Sequence, residues 1–234
     1  MRVVLTRPRE KDEELAGLLR KRGFEPVFVP VVAYEKLEEG YGELEESLAE
    51  PWDWVVITSP EAARYFLGAW YLAGAPEVRV AAVGESTARV LEGQGLEVAF
   101  LPSRAEAAAL ARELPGTGRV LWPTSARAGD ELVKDLARRG IEVRRLNVYT
   151  TRRRAPSEEE REAARGAVAV MLGSPSAAEA WASLGLPLLP AAAVGEKTGK
   201  RAEELGFSPV VAAREPGLLG WVEALERLAE TLGG

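Results

Sequence analysis

The chain has no cysteine and no histidine among its 234 residues. These two absences exclude disulfides, thiolate nucleophiles, histidine-assisted triads and zinc sites built from Cys or His side chains. Proton transfer therefore has to use tyrosine, carboxyl or basic side chains, water or the backbone. A carboxylate site for a hard cation stays open, but no Asp-rich loop is present, so we predict no metal site.

Side-chain amides are almost as scarce, since Asn147 and Gln94 are the single asparagine and glutamine, whereas charged residues make up 28% of the chain. Few thermolabile amides and many charges are typical of proteins from thermophiles, although GC-rich codon usage would favour a similar composition. The hydrophobic content of 47% is enough for one core or for two smaller domains. The net charge of −6 gives no general reason to expect a nucleic-acid partner.

Long apolar runs are missing as well. The apolar stretch at 27–33 is far shorter than the ~20 residues that cross a bilayer. The first ten residues lack the apolar centre of a signal peptide. We therefore expect no membrane insertion and a cytoplasmic location.

The chain does contain a regular alternation of short β-branched runs and longer amphipathic stretches. Such alternation favours βαβ units with parallel sheets, and hence an α/β fold. We predict strands near 1–6, 26–32, 53–57, 79–83, 97–100, 119–122, 142–148, 167–172, 191–194 and 209–212. We predict helices near 9–22, 40–49, 60–73, 85–94, 105–114, 126–139, 157–165, 175–184, 196–205 and 217–231.

Three sequence phrases occur twice, each time about half the chain length apart. Val-Gly-Glu-x-Thr begins at Val83 and Val194, and two other phrases align Ser59 with Ser174 and Gly23 with Gly140. Repeats at nearly the same offset indicate an internal duplication, which predicts two similar units of five strands each. Periodicity leaves open whether the units follow one another or are swapped, with one continuous unit enclosed by the two ends of the chain.

Helix-start residues follow many of the predicted strands. Ser59 and Ser174 each precede a proline, a typical N-cap followed by the favoured first helical residue. Helix starts can hold a carboxylate or phosphate, and open α/β sheets bind ligands at the carboxyl ends of their strands. Most such corners bind nothing, and Glu85 and Glu196 would repel an adjacent anion. The number of corners nevertheless favours a large polyanionic ligand.

Other motifs give weaker indications of function. Neither GxGxxG nor GxxxxGK[ST] is present, which removes the usual support for nucleotide binding. The run 152–154 of three arginines would either attract anions or be a solvated hinge segment. Tyr149 lies in the second of two bridge segments (31–40 and 147–156), with Tyr34 as its counterpart in the first. Tyrosines in such places serve either packing or proton transfer.

An ordered set of short motifs resembles the uroporphyrinogen-III synthase family. The motifs are Leu5-Thr6-Arg7-Pro8, Ile57-Thr58-Ser59-Pro60-Glu61-Ala62, Val83-Gly84 with Thr87-Ala88, Val148-Tyr149-Thr150-Thr151, Ser174-Pro175-Ser176-Ala177, and Val194-Gly195 with Thr198. The resemblance implies two flavodoxin-like lobes with five-stranded parallel sheets, a joining two-stranded β-ladder, and an active site in the cleft. It also implies the swapped arrangement, with lobe 1 at 1–34 plus 151–234, lobe 2 at 37–148, and the ladder at 31–37 and 147–153.

The resemblance further implies a cofactor-independent lyase of haem biosynthesis. Such an enzyme closes hydroxymethylbilane, a linear tetrapyrrole with eight carboxylates, into uroporphyrinogen III with loss of water and inversion of ring D. The match makes Tyr149 the catalytic candidate. The substrate-binding candidates are Thr6, Arg7, Thr58, Ser59, Gly84, Thr87, Ser174, Ser176, Gly195 and Thr198.

We expect a monomer, and a transient contact with the preceding pathway enzyme stays open. The alternative function is that of a non-enzymatic, two-lobed cytoplasmic binding or sensor protein for a small anionic metabolite.

Overall fold

The computed structural model describes residues 1–233, in which strands and helices alternate almost without interruption. In chain order the elements are β1 (Arg2–Leu5), α1 (Arg9–Lys21), β2 (Glu25–Phe28), β3 (Val32–Lys36), α2 (Glu38–Ser47), β4 (Trp54–Ile57), α3 (Pro60–Leu72), β5 (Val80–Ala82), α4 (Glu85–Glu92), β6 (Val98–Phe100), α5 (Ala107–Glu113), β7 (Arg119–Ser125), α6 (Glu131–Ala137), β8 (Glu142–Arg153), α7 (Glu158–Ala163), β9 (Ala169–Leu172), α8 (Pro175–Ser183), β10 (Ala191–Ala193), α9 (Glu196–Glu204), β11 (Val210–Ala212) and α10 (Leu218–Gly233). The α/β class predicted from the alternation is confirmed.

The chain divides into two compact units. Unit 1 combines Met1–Ala33 with the chain from Arg152 onward, and unit 2 is the continuous stretch Tyr34–Thr151. Each unit contains one sheet with a hydrophobic core on both of its faces. The chain leaves unit 1 within β3 and returns to it within β8.

The sheet of unit 1 has five strands in the order β11-β10-β9-β1-β2, and all of its pairings are parallel. Numbered along the unit, this is the flavodoxin order 2-1-3-4-5. Side chains alternate between the two faces of β1. Val3 and Leu5 pack in a core with Trp221 of α10, and Val4 packs in the opposite core with Trp181 of α8.

The sheet of unit 2 has six strands in the order β3-β8-β7-β4-β5-β6. The five strands from β8 to β6 pair in parallel. If β7 and β8 are counted first, these five strands also have the order 2-1-3-4-5. Unit 2 is therefore a circularly permuted copy of the fold of unit 1, as expected for a duplicated unit whose halves are swapped.

One predicted strand is two strands in the structure. The apolar run at 26–32 separates into β2, which pairs with β1, and β3, which lies next to β8 in the other sheet. Pro30 stands between them and has no N–H to continue a ladder. The five predicted parallel strands are therefore present in each sheet, and the sheet of unit 2 has β3 as an additional sixth strand at its edge. The prediction that β3 and β8 form a joint between two lobes stays a prediction.

Helix α6 begins at Glu131, five residues later than predicted. The segment before it is a turn, in which the N–H groups of Arg127 and Ala128 donate to the hydroxyl and carbonyl of Ser125. The Arg145 guanidinium binds the carbonyls of Ser125 and Ala128. These contacts hold residues 125–128 in a turn that is not helical, and the helix begins after it.

None of the helices within residues 1–233 has the length and apolar character needed to cross a membrane.

Candidate functional site

The two Ser-Pro corners fold in the same way in the two units. Ser59 is the N-cap of α3, and its hydroxyl accepts a hydrogen bond of 3.0 Å from the Ala62 N–H. Ser174 caps α8 in the same manner, with a bond of 3.1 Å from the Ala177 N–H. Each helix follows a fully buried strand directly, β4 in unit 2 and β9 in unit 1. Each corner therefore lies at the carboxyl end of a buried strand.

Tyr149 comes close to the corner at Ser59. It lies on β8, opposite Ser125 of the neighbouring strand β7, and β7 in turn pairs with β4, the strand before Ser59. The two hydroxyl oxygens of Tyr149 and Ser59 are 3.2 Å apart, and either group can donate. The tyrosine is almost fully buried, with 6% of its surface exposed. The structure thus joins two residues that the sequence analysis singled out separately.

Two further tyrosines enclose the Tyr149 ring. Tyr65 of α3 stacks on it with ring centres 5.0 Å apart and planes inclined by 12°. Tyr34 meets it edge to face, with ring centres 6.0 Å apart. The sequence analysis gave Tyr65 no role. Its position on α3, six residues after the capping Ser59, is the sequence feature that could have indicated its proximity to this corner.

The surroundings of Tyr149 raise the pKa of its hydroxyl. Burial is the largest influence and raises the pKa of its hydroxyl, and the nearby charge of Glu61 raises that pKa further. The hydrogen bond with Ser59 acts in the opposite direction. The net pKa lies above the usual value of about 10, so at neutral pH the residue is a phenol with a proton to donate.

Thr58, next to the corner, is held by an aromatic residue of β7. The indole N–H of Trp122 donates to the Thr58 hydroxyl at 3.1 Å. The Arg145 guanidinium lies 5.2 Å from the centre of the same indole. Through its bonds to the Ser125 and Ala128 carbonyls, Arg145 stabilises the turn after β7. The sequence analysis placed Arg145 in a strand and did not predict this role.

Arg7 at the first corner of unit 1 is already neutralised. Its Nε donates to Asp12 at 2.7 Å, and its guanidinium lies over the Trp221 ring at 4.9 Å. Asp12 is fully buried. Burial raises its pKa above the usual value, and the Arg7 charge opposes that rise. The pattern of α1 contains the signal for this partner, since Asp12 occupies the same helix face as Leu15 and Leu19.

Four other predicted binding residues at the corners differ in how far their side chains are exposed to solvent. The Thr6 hydroxyl is fully buried and donates to the Met171 carbonyl at 2.8 Å. Thr87 is fully buried and Thr198 is 4% exposed. Ser176 is half-buried, and its hydroxyl oxygen lies 3.0 Å from that of Ser174.

The two glycines of the repeated Val-Gly-Glu-x-Thr phrase also differ. A Cβ atom on Gly84 would lie 2.8 Å from the Cβ of Ala105, whereas one on Gly195 would meet nothing within 4 Å.

Each unit therefore gathers its own set of predicted residues at the carboxyl ends of adjacent strands. In unit 1 these ends belong to β1, β9 and β10, which are neighbours in the sheet. In unit 2 they belong to the neighbouring strands β4 and β5, whereas Tyr149 lies within β8, separated from β4 by β7. Arg154 of the predicted basic run forms an ion pair with Glu160 and donates to the Pro30 carbonyl, a structural arrangement. Residues 1–233 contain no group of three or more carboxylates placed to hold a metal ion.

Comparison with known proteins gives this geometry a family context. The family model for uroporphyrinogen-III synthase HemD matches residues 13–223. The chain is 38% identical to the chloroplastic uroporphyrinogen-III synthase of Oryza sativa subsp. japonica, covering 95% of this chain and 79% of the rice protein.

Solved structures agree. A mutant uroporphyrinogen III synthase from the extremely thermophilic bacterium Thermus thermophilus is 25% identical, covers 99% of both chains and superposes with a TM-score of 0.62. The synthetase from Helicobacter pylori 26695, at 20% identity and a TM-score of 0.67 over 97% of this chain and 100% of that one, shares the fold. With the family model and the rice relative spanning most of its length, the chain belongs to the uroporphyrinogen-III synthase family.

Proposed function

We propose that this protein is a uroporphyrinogen-III synthase that closes hydroxymethylbilane into uroporphyrinogen III, with inversion of ring D. Family membership supports the activity, and the observation that carries the site is the buried Tyr149 hydroxyl beside Ser59. Family membership also argues against the alternative of a non-enzymatic binding or sensor protein.

The first chemical step is the loss of the substrate hydroxyl. As the carbon–oxygen bond breaks, the oxygen keeps the electron pair and takes the Tyr149 proton, so that water leaves. The tetrapyrrole becomes a cationic azafulvene, and Tyr149 becomes a phenolate that later recovers a proton from the substrate. A protonated phenol suits this step, and general-acid assistance of this kind contributes about 10²–10⁴-fold.

The second task is to direct the cation to the hindered carbon of ring D. Closure at the unhindered end gives the uninverted isomer without an enzyme, so the protein has to hold the chain for the spiro route. Positioning of reacting groups supplies a large part of many rate enhancements. We propose that Ser59, Ser174 and Ser176, whose side chains are half-buried, contribute to this positioning.

Helix starts are the proposed holders of the substrate carboxylates. The first N–H groups of a helix have no partner further back in the helix and carry the positive end of its dipole, as at the starts of α4 and α9. Helices α3 and α8 begin with a proline, which has no N–H, and their capping serines already accept from the third residue. Gly84 and Gly195 stand at two of these starts. We assign a supporting role to Thr6, Thr87 and Thr198, because their hydroxyls are buried within the corners. Thr58 and Arg7 complete the proposed set, although Asp12 already balances the charge of Arg7.

Three further features belong to the proposal. The reaction exchanges no electrons and breaks a bond that acid catalysis assists, so we propose that it proceeds without a cofactor. We propose that units 1 and 2 correspond to the family's two lobes, as their boundaries near residues 33 and 151 support. We also propose a monomer.

The decisive experiment supplies purified protein with hydroxymethylbilane generated in the same vessel by the enzyme that makes it. After oxidation, chromatography separates the type III from the type I porphyrin. We expect mainly type III with the protein present and type I in its absence. Type I alone in both samples would contradict the proposed function.

A further inference from the structure

Tyr65 packs against the core of unit 2, in direct contact with the ring of Tyr149. It lies on the same helix as the cap residue Ser59, and its ring is nearly parallel to that of Tyr149, at 5.0 Å. The side chain is half-buried, and burial raises the pKa of its own hydroxyl. One helix thus contributes both the hydrogen-bond partner of Tyr149 and the surface against which its ring rests.

The contacts around Tyr149 restrict different motions of its ring. The hydrogen bond with Ser59 fixes only the hydroxyl end, and such a bond contributes about 1 kcal/mol. The stacked contact with Tyr65 restricts tilting of the ring, and the edge contact with Tyr34 restricts its sliding. Aromatic pairs contribute about 0.5–1.5 kcal/mol each beyond the area that they bury. The ring contacts therefore match or exceed the hydrogen bond in holding the hydroxyl in place.

We propose that Tyr65 is a positioning residue for the reaction, which holds the ring of Tyr149 so that its hydroxyl stays beside Ser59 and meets the leaving oxygen of the substrate. The inference rests on the proposed function. Tyr65 acts through its ring face and not through its hydroxyl. Without that face, the Tyr149 hydroxyl can still donate a proton but is no longer held in position. Misplacement of a catalytic group by about 1 Å can cost about 100-fold in rate.

The test compares Tyr65→Phe, which keeps the stacking ring, with Tyr65→Leu, which removes it. We expect Tyr65→Leu to lower kcat at least tenfold while KM changes less than threefold, and Tyr65→Phe to restore kcat to within about twofold of the parent protein. The matched control is Tyr71→Leu, which removes a half-exposed tyrosine from the same helix and leaves kcat unchanged.

A double-mutant cycle separates positioning from a general loss of stability. If Tyr65 acts through Tyr149, adding Tyr65→Leu to Tyr149→Phe lowers kcat by less than twofold, because the hydroxyl to be positioned is already gone. A full tenfold loss in the Tyr149→Phe background would overturn the inference, and so would a Tyr65→Phe variant as impaired as Tyr65→Leu. Thermal unfolding of each variant shows whether a low kcat reflects unfolded protein.

The same assay keeps the two proposals apart. If the parent protein yields no type III isomer, the proposed function fails. If the parent protein yields type III and Tyr65→Leu does so with equal kcat, only the role of Tyr65 fails.

Discussion

At the scale of single residues, Tyr149 owes its proposed chemistry to its surroundings. A free tyrosine is already protonated at neutral pH, and burial raises the pKa of the Tyr149 hydroxyl further. Ser59 gives the hydroxyl a partner, and two tyrosine rings limit its motion. None of the residues that make these contacts is near Tyr149 in sequence. The sequence therefore indicated Tyr149 but not its surroundings.

Replacement of Tyr149 by phenylalanine tests the residue directly. The ring contacts survive, and one hydrogen bond worth about 1 kcal/mol is lost, so the fold should persist. We expect kcat to fall by about 10²–10⁴-fold because the proton donor is gone. Turnover and circular dichroism measure the two effects. A kcat near that of the parent protein would remove Tyr149 from the mechanism.

Glu61 provides a second test at this scale, since its charge adds to the effect of burial on the pKa of Tyr149. Glu61→Gln removes that charge, which should lower the pKa of Tyr149 because the phenolate then faces no neighbouring carboxylate. Ring-labelled tyrosine followed by NMR during an alkaline titration measures the change, with Tyr149→Phe identifying the resonance. Glu85→Gln is the control, since Glu85 is an exposed helix-start carboxylate in the same unit. An unchanged or raised pKa in Glu61→Gln would contradict the prediction.

At the scale of elements, Ser-Pro and Gly-Glu pairs start the helices where the sequence predicts them. The starts of α3, α4, α8 and α9 agree with prediction to the residue. Local chemistry explains this agreement, since a capping hydroxyl and a proline at the next position need no distant partner. The start of α6 was missed because Arg145, from a different strand, determines the conformation of the preceding turn.

The two copies of the repeated phrase differ in a way that mutation can test. Gly84→Ala would bring a methyl group against Ala105 and should cost about 1 kcal/mol, at the low end for overpacking because Ala105 lies in an exposed loop. Gly195→Ala meets no neighbour, and its φ of 176° is extended backbone that any residue adopts, so stability should stay unchanged. Thermal unfolding compares the two variants.

Activity then separates structure from binding at these corners. A loss of turnover in the fully stable Gly195→Ala variant would show that a ligand approaches the backbone there. Equal destabilisation of both variants would contradict the packing argument.

At the scale of the whole molecule, each unit has its own cores, and one unit is a continuous stretch of chain. Units with an independent core can in principle fold alone. We therefore expect a fragment of residues 31–154, which contains the whole of unit 2 with its flanking strand ends, to fold. Urea unfolding followed by tryptophan fluorescence should show one cooperative transition. A gradual loss of signal without a transition would show that unit 2 depends on the rest of the chain.

The sequence by itself determined the alternation of strands and helices, the duplication, the starts of α3, α4, α8 and α9, and the exclusion of Cys and His chemistry. These features depend on composition and on contacts between near neighbours, which periodicity and capping residues express directly. The motif order also identified the family.

Only the tertiary structure decided which strands share a sheet, including the permuted order of unit 2 and its sixth strand, β3. It also decided that Ser59, Tyr34 and Tyr65 surround Tyr149. Asp12 beside Arg7 belongs with these features. The tandem and swapped arrangements satisfy the same local patterns, so the choice between them rests on long-range packing, which no stretch of sequence expresses by itself.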